Sequence, residues 1–131
     1  MTFETFIPVY SAMGAIFAFL AVALGAFAAH ALRQRVAPEK LAVFQTGVQY
    51  QMYHALALIG VGLLQVRLNP LNPAILLLSL AGISFILGIL LFSGSLYLLT
   101  FLKSKTVGII TPIGGVLFLL GWGLVFLGAI R

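Results

Sequence analysis

Cysteine and aspartate are both missing from this 131-residue chain, and its only carboxylate side chains are Glu4 and Glu39. Without cysteine there is no disulfide, no thiolate metal ligand and no thiol nucleophile, and redox compartment cannot be read from thiols. The two glutamates fall on opposite sides of the bilayer in the topology derived below. Neither a carboxylate pair nor a Ser-His-Asp arrangement can then be assembled within one chain, so an enzyme, and a hydrolase above all, is disfavoured. Charge of either sign is scarce, at 7% of residues, too little to cover a water-soluble surface around so apolar a core. The net charge of +5 does not point to nucleic acid, because the basic residues flank apolar runs instead of forming a continuous patch.

What the chain does have is hydrophobic length. It is 63% hydrophobic with a mean hydropathy of +1.22. Residues 5–32, 41–66, 68–102 and 106–130 contain no charged side chain. An apolar helix needs about 20 residues to cross the hydrocarbon of a bilayer, and each stretch exceeds that. The reading is an all-α membrane protein, a single domain over residues 1–131 forming a bundle of four transmembrane helices. The spans are expected near 7–32, 43–66, 73–102 and 107–130, which leaves no room for an extramembrane domain.

The basic residues set an expected orientation. Arg33, Arg35 and Lys40 lie in the first connection and Lys103 and Lys105 in the third, against Arg67 and Arg131 on the other side. The positive-inside rule then places loops 33–42 and 103–106 in the cytoplasm and both termini outside. A cleaved signal peptide is not expected, because the residues before the first apolar run include Glu4 and no basic residue.

Proline marks helix starts. Pro8 suits the first turn of span one and Pro38 that of a helix leading into span two, while Asn72-Pro73 reads as an N-cap followed by a first-turn proline. The turn from Arg67 to Pro73 is too rich in breakers to be helical. For span four, the expectation is that Thr111 caps a helix beginning at Pro112; the alternative is a helix starting near Val107 that contains the proline.

Small residues indicate packing faces. Gly14, Ala18, Ala21, Gly25 and Ala29 form one shallow stripe, Gly114, Gly121 and Gly128 recur every seven residues, and Ala81, Ser84 and Gly88 share a third face. These stripes let helices pack within one chain, or make one of them an interface between protomers in a homo-oligomer.

The polar residues are expected to gather in the cytoplasmic half. The candidates are His30 in span one, Gln45, Gln49, Tyr50, Gln51, Tyr53 and His54 in span two, Ser93, Ser95 and Tyr97 in span three, and Thr111 in span four. The outer half reads as nearly featureless. His54 is expected to face the interior and to share hydrogen bonds with span three or its own helix, since a polar side chain facing lipid is costly. Its roles stay open between a structural residue, a proton or solute pathway, and a contact for a lipid or quinone-like headgroup. No cofactor or metal is expected. The two histidines differ in depth by on the order of 10 Å, too far for one haem, and zinc would want at least three ligands.

Four motifs in order carry a family resemblance: Gly25-Ala26-Phe27-Ala28-Ala29-His30-Ala31, Phe44-Gln45-Thr46-Gly47-Val48-Gln49-Tyr50-Gln51-Met52-Tyr53-His54-Ala55-Leu56-Ala57, Leu91-Phe92-Ser93-Gly94-Ser95-Leu96-Tyr97 and Ile110-Thr111-Pro112-Ile113-Gly114-Gly115. They resemble the domain-of-unknown-function 423 family of small bacterial inner-membrane proteins, itself similar to a small eukaryotic transmembrane protein family. The resemblance implies four membrane helices in an inner membrane and brings no activity, cofactor or catalytic residue. The expected role is a non-enzymatic one, in membrane organisation or as a small partner subunit in contact with membrane lipids. The alternative is a pocket for a small molecule or lipid, or a proton or solute conduit, in the cytoplasmic half.

Overall fold

The computed structural model describes residues 8–131; Met1–Ile7, and with them Glu4 and the first residue of span one, lie outside the described residues. Four helices follow in order. They are α1 (Val9–His30, with a short 3-10 turn at Leu32–Gln34), α2 (Pro38–Arg67), α3 (Ala74–Phe101) and α4 (Lys105–Ala129).

Local chemistry explains the ends. Pro38 occupies the first turn of α2, where its missing N–H costs nothing. In the turn before α3, Asn69 Oδ1 accepts from the Leu71 N–H and Asn72 Oδ1 from the Ala74 N–H at 2.8 Å, so Asn72 caps the helix start as its sequence context suggests. At α4 the structure takes the alternative route. Ser104, not Thr111, is the N-cap, accepting from the Val107 N–H at 3.2 Å, and Pro112 lies inside the helix. The proline comes at the start of the third turn, where it removes one backbone donor, that facing the Gly108 carbonyl. Thr111 is freed for a different role described below.

The helices run up, down, up and down. α1 packs along α2, α2 along α3, and α3 along α4, so α1 and α4 form the flanks. Leu58, Val61, Leu78, Phe85, Ile89 and Phe118 fill the main core between α2, α3 and α4, and a smaller cluster of Ala28, Leu32 and Phe44 closes the end where α1 turns into α2. Within α3 the α-helical pattern is broken by a π-helical segment at Ile89–Ser93. A wider turn re-aims the residues that follow it, and such segments recur at functional positions.

Three of the four helices, Val9–Gln34, Ala74–Phe101 and Lys105–Ala129, are long and apolar enough to cross a membrane. The expectation of four transmembrane helices is supported for three of them. α2 has the length, at 30 residues, but not the composition. The physical reason is where its polar residues sit: Gln51, His54 and Gln65 are buried against the other helices.

Candidate functional site

α2 is tied to its neighbours by a ladder of hydrogen bonds. Near its start Lys40 Nζ donates to the Leu99 carbonyl at 2.8 Å, placing a cation at the C-terminal end of α3 where the helix dipole is negative. Two turns on, the fully buried Ser93 donates through Oγ to the Gly47 carbonyl at 2.7 Å. That approach requires glycine, because a Cβ at position 47 would lie 2.7 Å from the Tyr97 ring. Gln51 then bridges two helices, donating to the Phe17 carbonyl of α1 at 2.8 Å and accepting from the Tyr97 hydroxyl of α3 at 2.6 Å.

His54 forms the next rung, with the expected partner in its own helix, Tyr50, and an unforeseen one in α4, Trp122. The Trp122 indole N–H of α4 donates to its Nε2 at 3.1 Å, and Nδ1 lies 2.7 Å from the Tyr50 carbonyl one turn earlier. An indole N–H can only donate, so Nε2 accepts, the proton sits on Nδ1, and the ring is a neutral single tautomer. The imidazole stacks on Phe118 with centroids 3.5 Å apart and planes 6° apart, and Phe85 lies 5.4 Å away. Both ring nitrogens are engaged, leaving no free lone pair for a passing proton or an ion.

The half expected to face outward is not featureless, contrary to expectation. Gln65 donates to Ser79 Oγ at 2.8 Å, Tyr10 to the Ser79 carbonyl at 2.9 Å and Ser11 to the Ile59 carbonyl at 3.0 Å. These residues escaped the sequence reading because each is a lone polar side chain in an apolar run. Trp122 was not among the candidates, because nothing in the sequence ties its depth in α4 to that of His54; only the fold places it opposite His54.

Of the residues singled out, the structure brings Gln51 to Tyr97, Ser93 to Gly47, and Ser95 to Thr111, whose hydroxyls lie 2.6 Å apart across α3 and α4. It does not gather the rest. His30, Gln45, Gln49 and Tyr53 are exposed, and Tyr50 is 39% exposed. Among the described residues, no group of three histidine, cysteine or acidic side chains forms a metal cluster. No buried side-chain nitrogen or oxygen among them lacks a hydrogen-bond partner.

Beside His54 a lateral groove of about 370 Å³ opens between α2 and α4, lined by Tyr50, Tyr53, Phe92, Gly115, Phe118 and Trp122 together with His54 and Leu119. The walls are ring faces. Tyr50 packs on Phe92 at 4.7 Å and lies 5.8 Å from Tyr53. The lining contains no charged residue, and the imidazole at its back is already bonded to Trp122.

The family described as a protein of unknown function, DUF423, matches residues 24–115. The chain is 43% identical over 123 residues to the UPF0382 membrane protein YwdK of Bacillus subtilis, covering 94% of this chain and 97% of that one. It is 45% identical over 113 residues to a UPF0382 membrane protein of Haemophilus influenzae, with 86% of each covered. The UPF0382 inner membrane protein YgdD of Escherichia coli is 40% identical over 118 residues, covering 89% and 86%. No solved structure matches the chain.

Proposed function

Because this chain belongs to the DUF423 family, whose named relatives are membrane proteins, we propose that it is a non-enzymatic four-span bundle of the bacterial inner membrane. Its role on this reading is lateral: membrane organisation or service as a small subunit, beginning with association of its own copies. Crossing by α2 is supported by its position, since it packs between α1 and α3, both of membrane-crossing length, and antiparallel to each. The five-to-two distribution of basic residues supports cytoplasmic loops at 33–42 and 103–106 and both termini outside.

One observation carries the lateral role. The interior is closed on itself, with every buried polar side-chain atom among the described residues partnered, whereas Gln45 and Gln49 are exposed on α2. A catalytic centre or conduit needs free polar groups inside; a docking face in lipid needs them outside, where amides strengthen helix association. The small-residue stripes are less available for this purpose. Gly14 faces α2 and Gly121 faces α3, so self-association falls to the outward face of α2 and the adjoining groove lined by Ala15, Ala18 and Ala23.

The cysteine-free sequence makes the test direct. Gln49→Cys is expected to give a disulfide-linked dimer on mild oxidation in native membranes, while Leu76→Cys on the exposed side of α3 stays monomeric. A Gln49→Cys chain that remains monomeric, or links only to another protein, removes self-association. Orientation and the α2 crossing are read separately with Arg35→Cys and Asn69→Cys and an impermeant thiol reagent on intact cells. Labelling at 69 but not 35 is expected; labelling at 35 only reverses the orientation, and labelling of both from outside removes the crossing. A binding pocket is the second reading, favoured by the groove at His54.

A further inference from the structure

We propose that the groove beside His54 binds the planar, carbonyl-bearing head of a neutral, lipid-soluble quinone, a proposal that rests on α2 crossing the bilayer. Three observations converge on that chemistry. The lining is uncharged, so an ionic head would find no counter-charge there. Its walls are the faces of Tyr50, Phe92, Phe118 and Trp122, which suit a flat ring. The polar capacity left over belongs to the hydroxyls of Tyr50 and Tyr53, because Trp122 and His54 satisfy each other and the remaining Tyr50 group, its carbonyl, takes the histidine proton. Phenols that must donate ask for an acceptor, which a quinone carbonyl supplies.

Depth narrows the choice further. Residues 50–54 lie at the middle of α2 and residues 115–122 near the middle of α4. Water and headgroups do not reach that level, and a tyrosine there cannot snorkel out over half the bilayer thickness of roughly 30 Å. Exposed phenols at this depth are costly unless a solute that itself resides between the leaflets satisfies them. Phospholipids keep their ester oxygens at the interface, so an acyl chain would meet the aromatic walls but leave the hydroxyls bare. At about 370 Å³ the groove falls at the small end of ligand sites, enough for a substituted ring and the first part of its tail. The tail leaves past Leu119 and Tyr53, which are 74% and 54% exposed.

Gly115 keeps the groove open. A Cβ there would come no nearer than 3.8 Å to the Phe92 ring, so a larger side chain can be carried without clashing with backbone and would fill the space.

The only tryptophan in the chain is the groove's own reporter. The full chain in lipid nanodiscs is titrated with decylubiquinone, and Trp122 emission is followed. The expected result is saturable quenching to below half the starting intensity. Tyr50→Phe and Tyr53→Phe are each expected to raise the half-saturating quinone content about three- to tenfold, from the loss of one hydrogen bond. Gly115→Leu should reduce quenching to that of a membrane-dissolved indole in the same nanodiscs. Quenching that rises linearly with quinone and is unchanged in the tyrosine variants overturns the proposal, as does full recovery of Trp122 emission on adding an equimolar amount of decylbenzene, which has the same tail and no carbonyl. Opposite-side labelling of Arg35→Cys and Asn69→Cys alongside linear quenching overturns the groove alone. Labelling of both positions from one side overturns the crossing, and this proposal with it.

Discussion

The α1–α2 and α3–α4 interfaces use the same sequence device in two different ways. In α1 the buried small residues are Gly14, Ala21 and Ala28, and in α4 they are Gly114, Gly121 and Gly128, both at seven-residue intervals. Between α1 and α2 the space left by glycine is taken by backbone: a Cβ at Gly14 would lie 2.5 Å from the Ala55 carbonyl oxygen and 2.9 Å from the Ile59 nitrogen. Gly62 of α2 reciprocates, meeting the backbone and hydroxyl of Ser11. Between α3 and α4 the glycines mostly receive side chains. Phe85 fills the space at Gly121, Phe118 that at Gly88 and Leu78 that at Gly128, with Gly114 against the Phe92 backbone as the exception, beside the π-helical segment. Lipid does not reward burial of apolar surface between helices, so both interfaces depend on packing and hydrogen bonds. The first achieves it by main-chain approach, the second by interlocking side chains.

The largest effect should come from the backbone interface. Gly14→Ala cannot be absorbed by a rotamer change and must push α1 from α2, at a cost on the order of 2–3 kcal/mol, measurable by reversible unfolding in mixed micelles. Gly121→Ala meets the Phe85 ring 2.6 Å away, a side chain that can shift, and should cost about 1 kcal/mol. Combining it with Phe85→Leu should recover part of that loss in a double-mutant cycle. Equal costs at positions 14 and 121 would erase the contrast between the two interfaces.

Gln51→Leu probes the join between the halves, since this side chain links Phe17 of α1 to Tyr97 of α3. Hydrogen bonds between membrane helices average around 0.6 kcal/mol, and here two are lost, so a destabilisation of about 1 kcal/mol is expected in the same unfolding assay. The smallest effect is predicted for Ala18→Leu. Ala18 lines the open groove between α1 and α2 and is not one of the buried heptad residues. Stability should change by less than about 0.5 kcal/mol, while the elution volume reports any change in association.

The site was legible in part. The polar residues could be picked out, because a polar side chain in an apolar run of this length has to be accounted for wherever it points. Partners were harder. Gln51, Ser93 and Tyr97 were foreseeable as a set only from matching depth on adjacent helices, and Trp122 was missed because depth in α4 depends on where that helix begins. Taking Thr111 as the cap hid the two turns from Lys105 onward. The small-residue stripe of α1 was placed on the correct face at Gly14 and Ala21, but its third buried member is Ala28 and not Ala29, which is exposed. Steps of three and four residues define a face loosely, whereas antiparallel packing selects every seventh position.

Composition and the spacing of charges and prolines by themselves determined that this is an all-helical membrane protein and that its helices begin at Pro38 and after Asn72. Those properties follow from transfer free energy and local backbone chemistry, which act residue by residue. Only the tertiary structure decided that α2, the least apolar helix, is the one held between neighbours by hydrogen bonds. It also decided that Trp122 bonds His54 beside an aromatic groove, and that Gly14 receives backbone while Gly121 receives a ring. Those outcomes depend on the rotation of each helix about its axis and its register against the next. Both are set by many weak contacts acting together across helices distant in sequence.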